Sequence, residues 1–145
     1  MKLQMLLQTA AGIQISVAML NFFLVRILGF KTHLERAPLL LREIFYVHAW
    51  FISATLLIFG LLTWRFAAEM GGAGPQIAPI HPDKVEVCRW VAACIGFFWA
   101  LRTVLQVTYY SSSHWRGRTG RTVIHCVLLL IYGSFTWIYL TAAFG

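Results

Sequence analysis

Two histidines, His48 and His125, each lie inside a long apolar run. An imidazole in hydrocarbon is costly, so it usually faces an interior, either as a hydrogen-bonded packing residue with no cofactor or as part of a functional site. The chemistry open to it is axial ligation of a haem iron or a hydrogen bond to a ligand. Other polar residues run with these two at helical spacing. Gln14 and Asn21 are seven apart, as are His48 and Thr55. Trp99, Arg102, Gln106 and Tyr109 step by three, four and three; His125, Tyr132, Thr136 and Tyr139 step by seven, four and three. These intervals hold each set on one helix face and predict four inward polar stripes.

The elements that must carry those stripes are membrane spans. The chain has 145 residues, 59% of them apolar, and a mean hydropathy of +0.72. Only 12% are charged, about half the usual share of a soluble domain. That composition excludes an ordinary soluble domain, a disordered chain and a disulfide scaffold. A transmembrane helix needs about 20 mostly apolar residues. Four stretches qualify, at about 3–30, 44–64, 87–110 and 122–144. They are too long and too uniformly apolar for barrel strands. The fold expected is an all-α membrane protein, an up-down-up-down four-helix transmembrane bundle forming a single domain.

The connections support that topology. Residues 30–43 form a turn in which Pro38 suits the first turn of a helix, and Leu39, Leu40 and Leu41 read as an interfacial trio. Residues 111–121 form a polar link, and 65–86 an outer loop rich in Gly and Pro. Arg26, Lys31, Arg36, Arg42, Arg116, Arg118 and Arg121 fall on one side; Lys2, Arg65, Lys84 and Arg89 fall on the other. The richer side is the cytoplasmic one. Both termini and the 65–86 loop are therefore expected outside. The apolar run at the N-terminus continues past the length of a signal h-region and does not read as a cleavable signal.

This topology makes the second and fourth spans parallel. His48 is six residues past Arg42, about 9 Å in, and His125 is four past Arg121, about 6 Å in. Similar depth on diagonal helices, roughly 11–14 Å apart, suits two axial imidazoles with a haem b between them. Arg102 and Arg26, about 12 and 7.5 Å inside their spans, are the expected propionate partners. The function expected is a membrane subunit for electron transfer or anchoring. Its likeness to respiratory b-type membrane anchors is one of architecture and histidine placement, and no family is identified.

Other readings use the same residues. A quinone needs a donor at each carbonyl and an apolar slot, and His48, His125, Arg102, Gln106, Tyr109 and Tyr110 are the candidate donors. A pigment held by one histidine needs an accessible helix face instead. A cofactor-free subunit of a larger membrane complex needs only packing. There Gln14, Asn21, Thr55 and Thr136 are interhelical hydrogen-bonders, and Trp137 and Tyr139 are belt aromatics near the outer end.

Several classes find no support. His33, His81 and His114 each lack a partner at metal-ligand spacing. Cys88, Cys94 and Cys126 form no CxxC pair, and the two in mid-span read as small apolar residues. No GxSxG, HExxH, Walker motif or carboxylate pair occurs, so no enzyme class is indicated. The net charge of +7 belongs beside anionic headgroups. The expected surroundings are the lipid bilayer and other membrane subunits or a second copy, not nucleic acid.

Overall fold

A computed structural model describes residues 2–27, 38–72, 82–109 and 119–145. Among these, four α-helices follow in chain order: α1 (Lys2–Ile27), α2 (Leu39–Met70), α3 (Pro82–Thr108) and α4 (Thr119–Phe144). There is no strand among the described residues. Backbone groups in lipid must be satisfied internally, and a helix does this within one segment. All four helices are long and apolar enough to cross a membrane. The chain thus has the all-α architecture expected, consistent with a four-helix transmembrane bundle and a multi-pass integral membrane protein.

Both ends of α2 and the start of α3 depart from the sequence boundaries. α2 has 32 residues, about 48 Å of helix against about 30 Å of hydrocarbon. It runs past Arg65 to Met70, with non-helical angles at Phe66 (φ −112°, ψ 15°). α3 begins at Pro82, not near 87. Hydropathy stops where the charges begin, but the helix does not. Pro82 loses nothing by lacking an N–H in the first turn, and Asp83 beside it suits the positive helix end. α2 ends on two glycines. The Gly71 N–H donates to the Ala67 carbonyl and the Gly72 N–H to that of Glu69. Gly72 takes φ +68°, the left-handed stop that favours glycine. Pro38 stands just before α2, its carbonyl accepting from the Arg42 N–H at 3.2 Å. The Leu39–Leu41 trio forms the exposed first turn.

The chain divides into two compact units, Gln8–Arg65 and a second made of residues up to Leu7 with Phe66–Gly145. In the first, Gly60 of α2 seats on α1. A Cβ there would lie 2.7 Å from Ile15 Cγ1 and 3.2 Å from the Ala11 carbonyl oxygen. Small residues at such contacts let helices approach closely. The rings of Phe22 and Trp50 meet edge to face at 5.1 Å. In the second unit, α3 and α4 pack along one another. Gly96 sits against Leu140, whose Cδ2 would be 2.7 Å from an added Cβ. Gly71 lies on the Gln4 backbone.

The polar stripes come out differently from the expectation. The buried face of α2 is Ser53, Leu56, Gly60, Thr63, Ala67 and Met70, stepping by three and four. His48 lies off that face and is exposed; Thr55 is half-buried. Thr55 and Thr136 do not bridge helices. Their hydroxyls donate to their own helix, to Phe51 O at 2.8 Å and Tyr132 O at 2.9 Å. A hydroxyl bonded four residues back is satisfied without a neighbour. Tyr139 is fully buried, so it is a core residue and no belt aromatic. Trp137 is exposed, and Gln14 is buried.

Candidate functional site

The residues that could do chemistry meet between α3 and α4. Gln106 of α3, 3% exposed, places Nε2 at 3.0 Å from Nδ1 of His125 on α4. That is a good hydrogen-bond distance for two nitrogens. His125 is half-buried. The Gln106 amide is therefore aimed at one ring nitrogen, which constrains what the other can do. Its Oε1 is buried without a hydrogen-bond partner.

Trp99 lies seven residues before Gln106, two helical turns along α3. Its ring stacks on Tyr132 at 5.2 Å, tilts against Phe135 at 4.8 Å and meets the edge of Phe98 at 5.5 Å. Its Nε1 is also buried without a hydrogen-bond partner. Arg102 lies between Trp99 and Gln106 on the same helix, with its guanidinium carbon 5.2 Å from the centre of the Tyr132 ring. A cation over an aromatic face is held by the ring quadrupole. The seam thus holds an aromatic cluster centred on Trp99, a cation over one of its rings, and an amide and an imidazole farther along it.

Of the residues read from the sequence, the structure brings Gln106 to His125 and Arg102 to Tyr132. Tyr109, just past the end of α3, is 81% exposed. His48 belongs to α2 in the Gln8–Arg65 unit, exposed among Val47, Trp50 and Phe51. Tyr46, Val47, Trp50, Phe51 and Ala54 line an open apolar groove on that helix. Arg26 lies in the last turn of α1, and its side chain falls outside the described set. Tyr110, His33, His81 and His114 lie outside the described residues. Among those described, no group of three or more His, Cys, Asp or Glu is placed to hold a metal ion.

Two features were not legible from spacing. Both Gln106 and His125 were on stripes, but nothing in either stripe said that the two would meet. Spacing puts Trp99 on a polar stripe, while its packing makes it the centre of an aromatic cluster. Its neighbours Tyr132 and Phe135 are three apart on α4, a hint only once α3 and α4 are known to be partners.

No family model, no curated protein and no solved structure matches this chain.

Proposed function

We propose that this membrane protein is a haem b subunit for electron transfer or membrane anchoring, with His125 as an axial ligand. The observation that carries the reading is the Gln106–His125 contact. Histidines that ligate metals almost always donate their second ring N–H to a neighbouring acceptor, which fixes the ring; Gln106 can be that acceptor through Oε1, its buried and unpartnered end. With Gln106 at Nδ1, ligation falls to Nε2. A bound haem supplies a one-electron iron couple whose potential depends on its axial ligands. Arg102 is the cation for a propionate, and Arg26 is the second candidate.

His48 is the candidate second ligand. His48 is exposed on α2, where paired ligation expects an inward ring, so the assignment rests on its variant. The test is the absorption spectrum of the purified full-length protein. Loss of the low-spin bands in both His125→Ala and His48→Ala supports paired ligation. Loss in His125→Ala alone leaves one axial histidine and removes His48 from the site. A colourless, folded protein from haem-sufficient cells removes haem altogether.

A quinone site is the second reading, favoured by the direction of the same contact. An amide nitrogen donating to Nδ1 leaves the proton of a neutral ring on Nε2, where it can donate to a carbonyl. Gln106 and His125 carry this version. Tyr109 is a weaker candidate because it is exposed, and Tyr110 is untouched by the described geometry. Co-purified quinone lost on His125→Ala supports it; a quinone-free preparation from quinone-rich membranes opposes it. The cofactor-free alternative, a structural subunit of a larger membrane complex, draws on the broad apolar faces of the spans. No more than 33% of any span is buried. A native membrane extract yielding only this chain would argue against it.

A further inference from the structure

We propose that Gln106 decides which nitrogen of His125 carries the proton, and that its amide turns over when His125 ligates through Nε2. The first half stands on geometry alone; the second rests on the haem reading.

The contact joins Gln106 Nε2 to His125 Nδ1 at 3.0 Å. An amide nitrogen has hydrogens to give and no lone pair to offer, so it donates. Nδ1 then accepts, and the neutral ring holds its proton on Nε2. Gln106 is 3% exposed, and its Oε1 is buried without a partner. A buried acceptor in that condition is unfavourable. A half-turn of the amide about Cγ–Cδ exchanges the roles. Oε1 then accepts from Nδ1–H, and Nε2 of the imidazole presents a lone pair.

The two orientations are matched in kind. Each makes one hydrogen bond to Nδ1 and leaves the other end of the amide unpartnered. The amide and ring therefore form a two-position element that a ligand can bias by binding one position better than the other. A ligand that accepts an electron pair from Nε2, as haem iron does, selects the second orientation. A ligand that offers a carbonyl to Nε2–H selects the first. The proton balance closes: the proton that leaves Nε2 on ligation is matched by one gained at Nδ1. The ring stays neutral throughout. Gln106 is a positioning residue in this scheme, acting on the ligand only through His125.

The test is nitrogen NMR of the full chain in detergent micelles, with the histidine ring nitrogens isotopically labelled and His125→Ala used to assign the signals. Without haem, the wild type is expected to show a protonated Nε2 and an accepting Nδ1. In Gln106→Leu the Nδ1 signal should move to that of a ring lacking this bond. In Gln106→Glu, whose carboxylate only accepts, the proton should move to Nδ1. A wild-type ring already protonated at Nδ1 overturns the assignment, and needs no variant to fold. A tautomer unmoved in both variants also overturns it. Haem is then added as the diamagnetic ferrous carbonyl complex. A bound haem with the proton on Nδ1 supports the turnover, while a bound haem with Nδ1 unprotonated overturns it. If no haem binds and the proton stays on Nε2, the haem reading and the turnover both fall, and the proton assignment is supported.

Discussion

Gln106 and His125 face each other across the α3–α4 seam, 19 residues apart in the chain and 3.0 Å apart between Nε2 and Nδ1. The pair ties the packing of two helices to the chemistry of one ring. Helix packing places the amide, the amide orients the imidazole, and the imidazole is the group a cofactor would meet. Loosening the seam should therefore reach His125 even when the altered residue lies far along the helix.

Gly96 tests the seam directly. A side chain there would meet Leu140 Cδ2 at 2.7 Å, Cγ at 3.1 Å and the backbone N at 3.3 Å. The leucine end can shift, but its backbone cannot easily follow. Gly96→Val should cost about 1–3 kcal/mol through overpacking. Gly133 on α4 has nothing within 4 Å of an added Cβ. Gly133→Ala should be neutral or stabilise by about 0.5–1 kcal/mol, since alanine suits a helix better. Unfolding in detergent micelles, followed by circular dichroism, compares them. Equal effects would contradict the close approach at Gly96.

Trp99 should carry more of the seam than any exposed aromatic does. It is 3% exposed and touches Tyr132 and Phe135. Trp99→Ala should cost about 3–5 kcal/mol. Trp50 is 66% exposed and has its edge-to-face partner in Phe22. Trp50→Ala should cost about 0.5–1.5 kcal/mol from that pair. The same unfolding assay reads both, and a larger loss at Trp50 would reverse the ranking.

The end of α2 gives a backbone test. Gly72 holds φ +68°, where an L side chain costs roughly 1–2 kcal/mol. Gly72→Ala should lower stability by about that amount. No loss would mean that the turn does not depend on glycine.

Sidedness is the prediction that the charges make. Counted from the sequence, seven cations on one side against four on the other would put both termini outside the cytoplasm. A phosphatase fused after Gly145 and expressed in a bacterium should be active, and a fluorescent protein that matures only in the cytoplasm should stay dark. The reverse pattern would invert the orientation.

The four helices were legible because about 20 apolar residues in sequence have few other solutions in lipid. Their ends were less so. Arg65 halts the hydropathy signal while Phe66–Met70 continues α2, because leaving the hydrocarbon does not require leaving the helix. The buried face of α2 differs from the one its polar stripe predicts. His48 and Thr55 looked inward because polar groups avoid lipid, but Ser53, Gly60 and Thr63 are small, and small residues let helices meet. Distance from the chain end predicts a belt position for Tyr139, yet packing buries it. The Gln106–His125 pair needed a knowledge of α3–α4 register that no periodicity within one helix contains.

The most direct measurement is the reduced-minus-oxidised spectrum of the full-length protein beside that of His125→Ala, both purified folded from haem-sufficient cells. The wild type should show a Soret band and a sharp reduced α-band, and the variant should lose them. A colourless wild type, or a variant with an unchanged spectrum, would contradict ligation by His125.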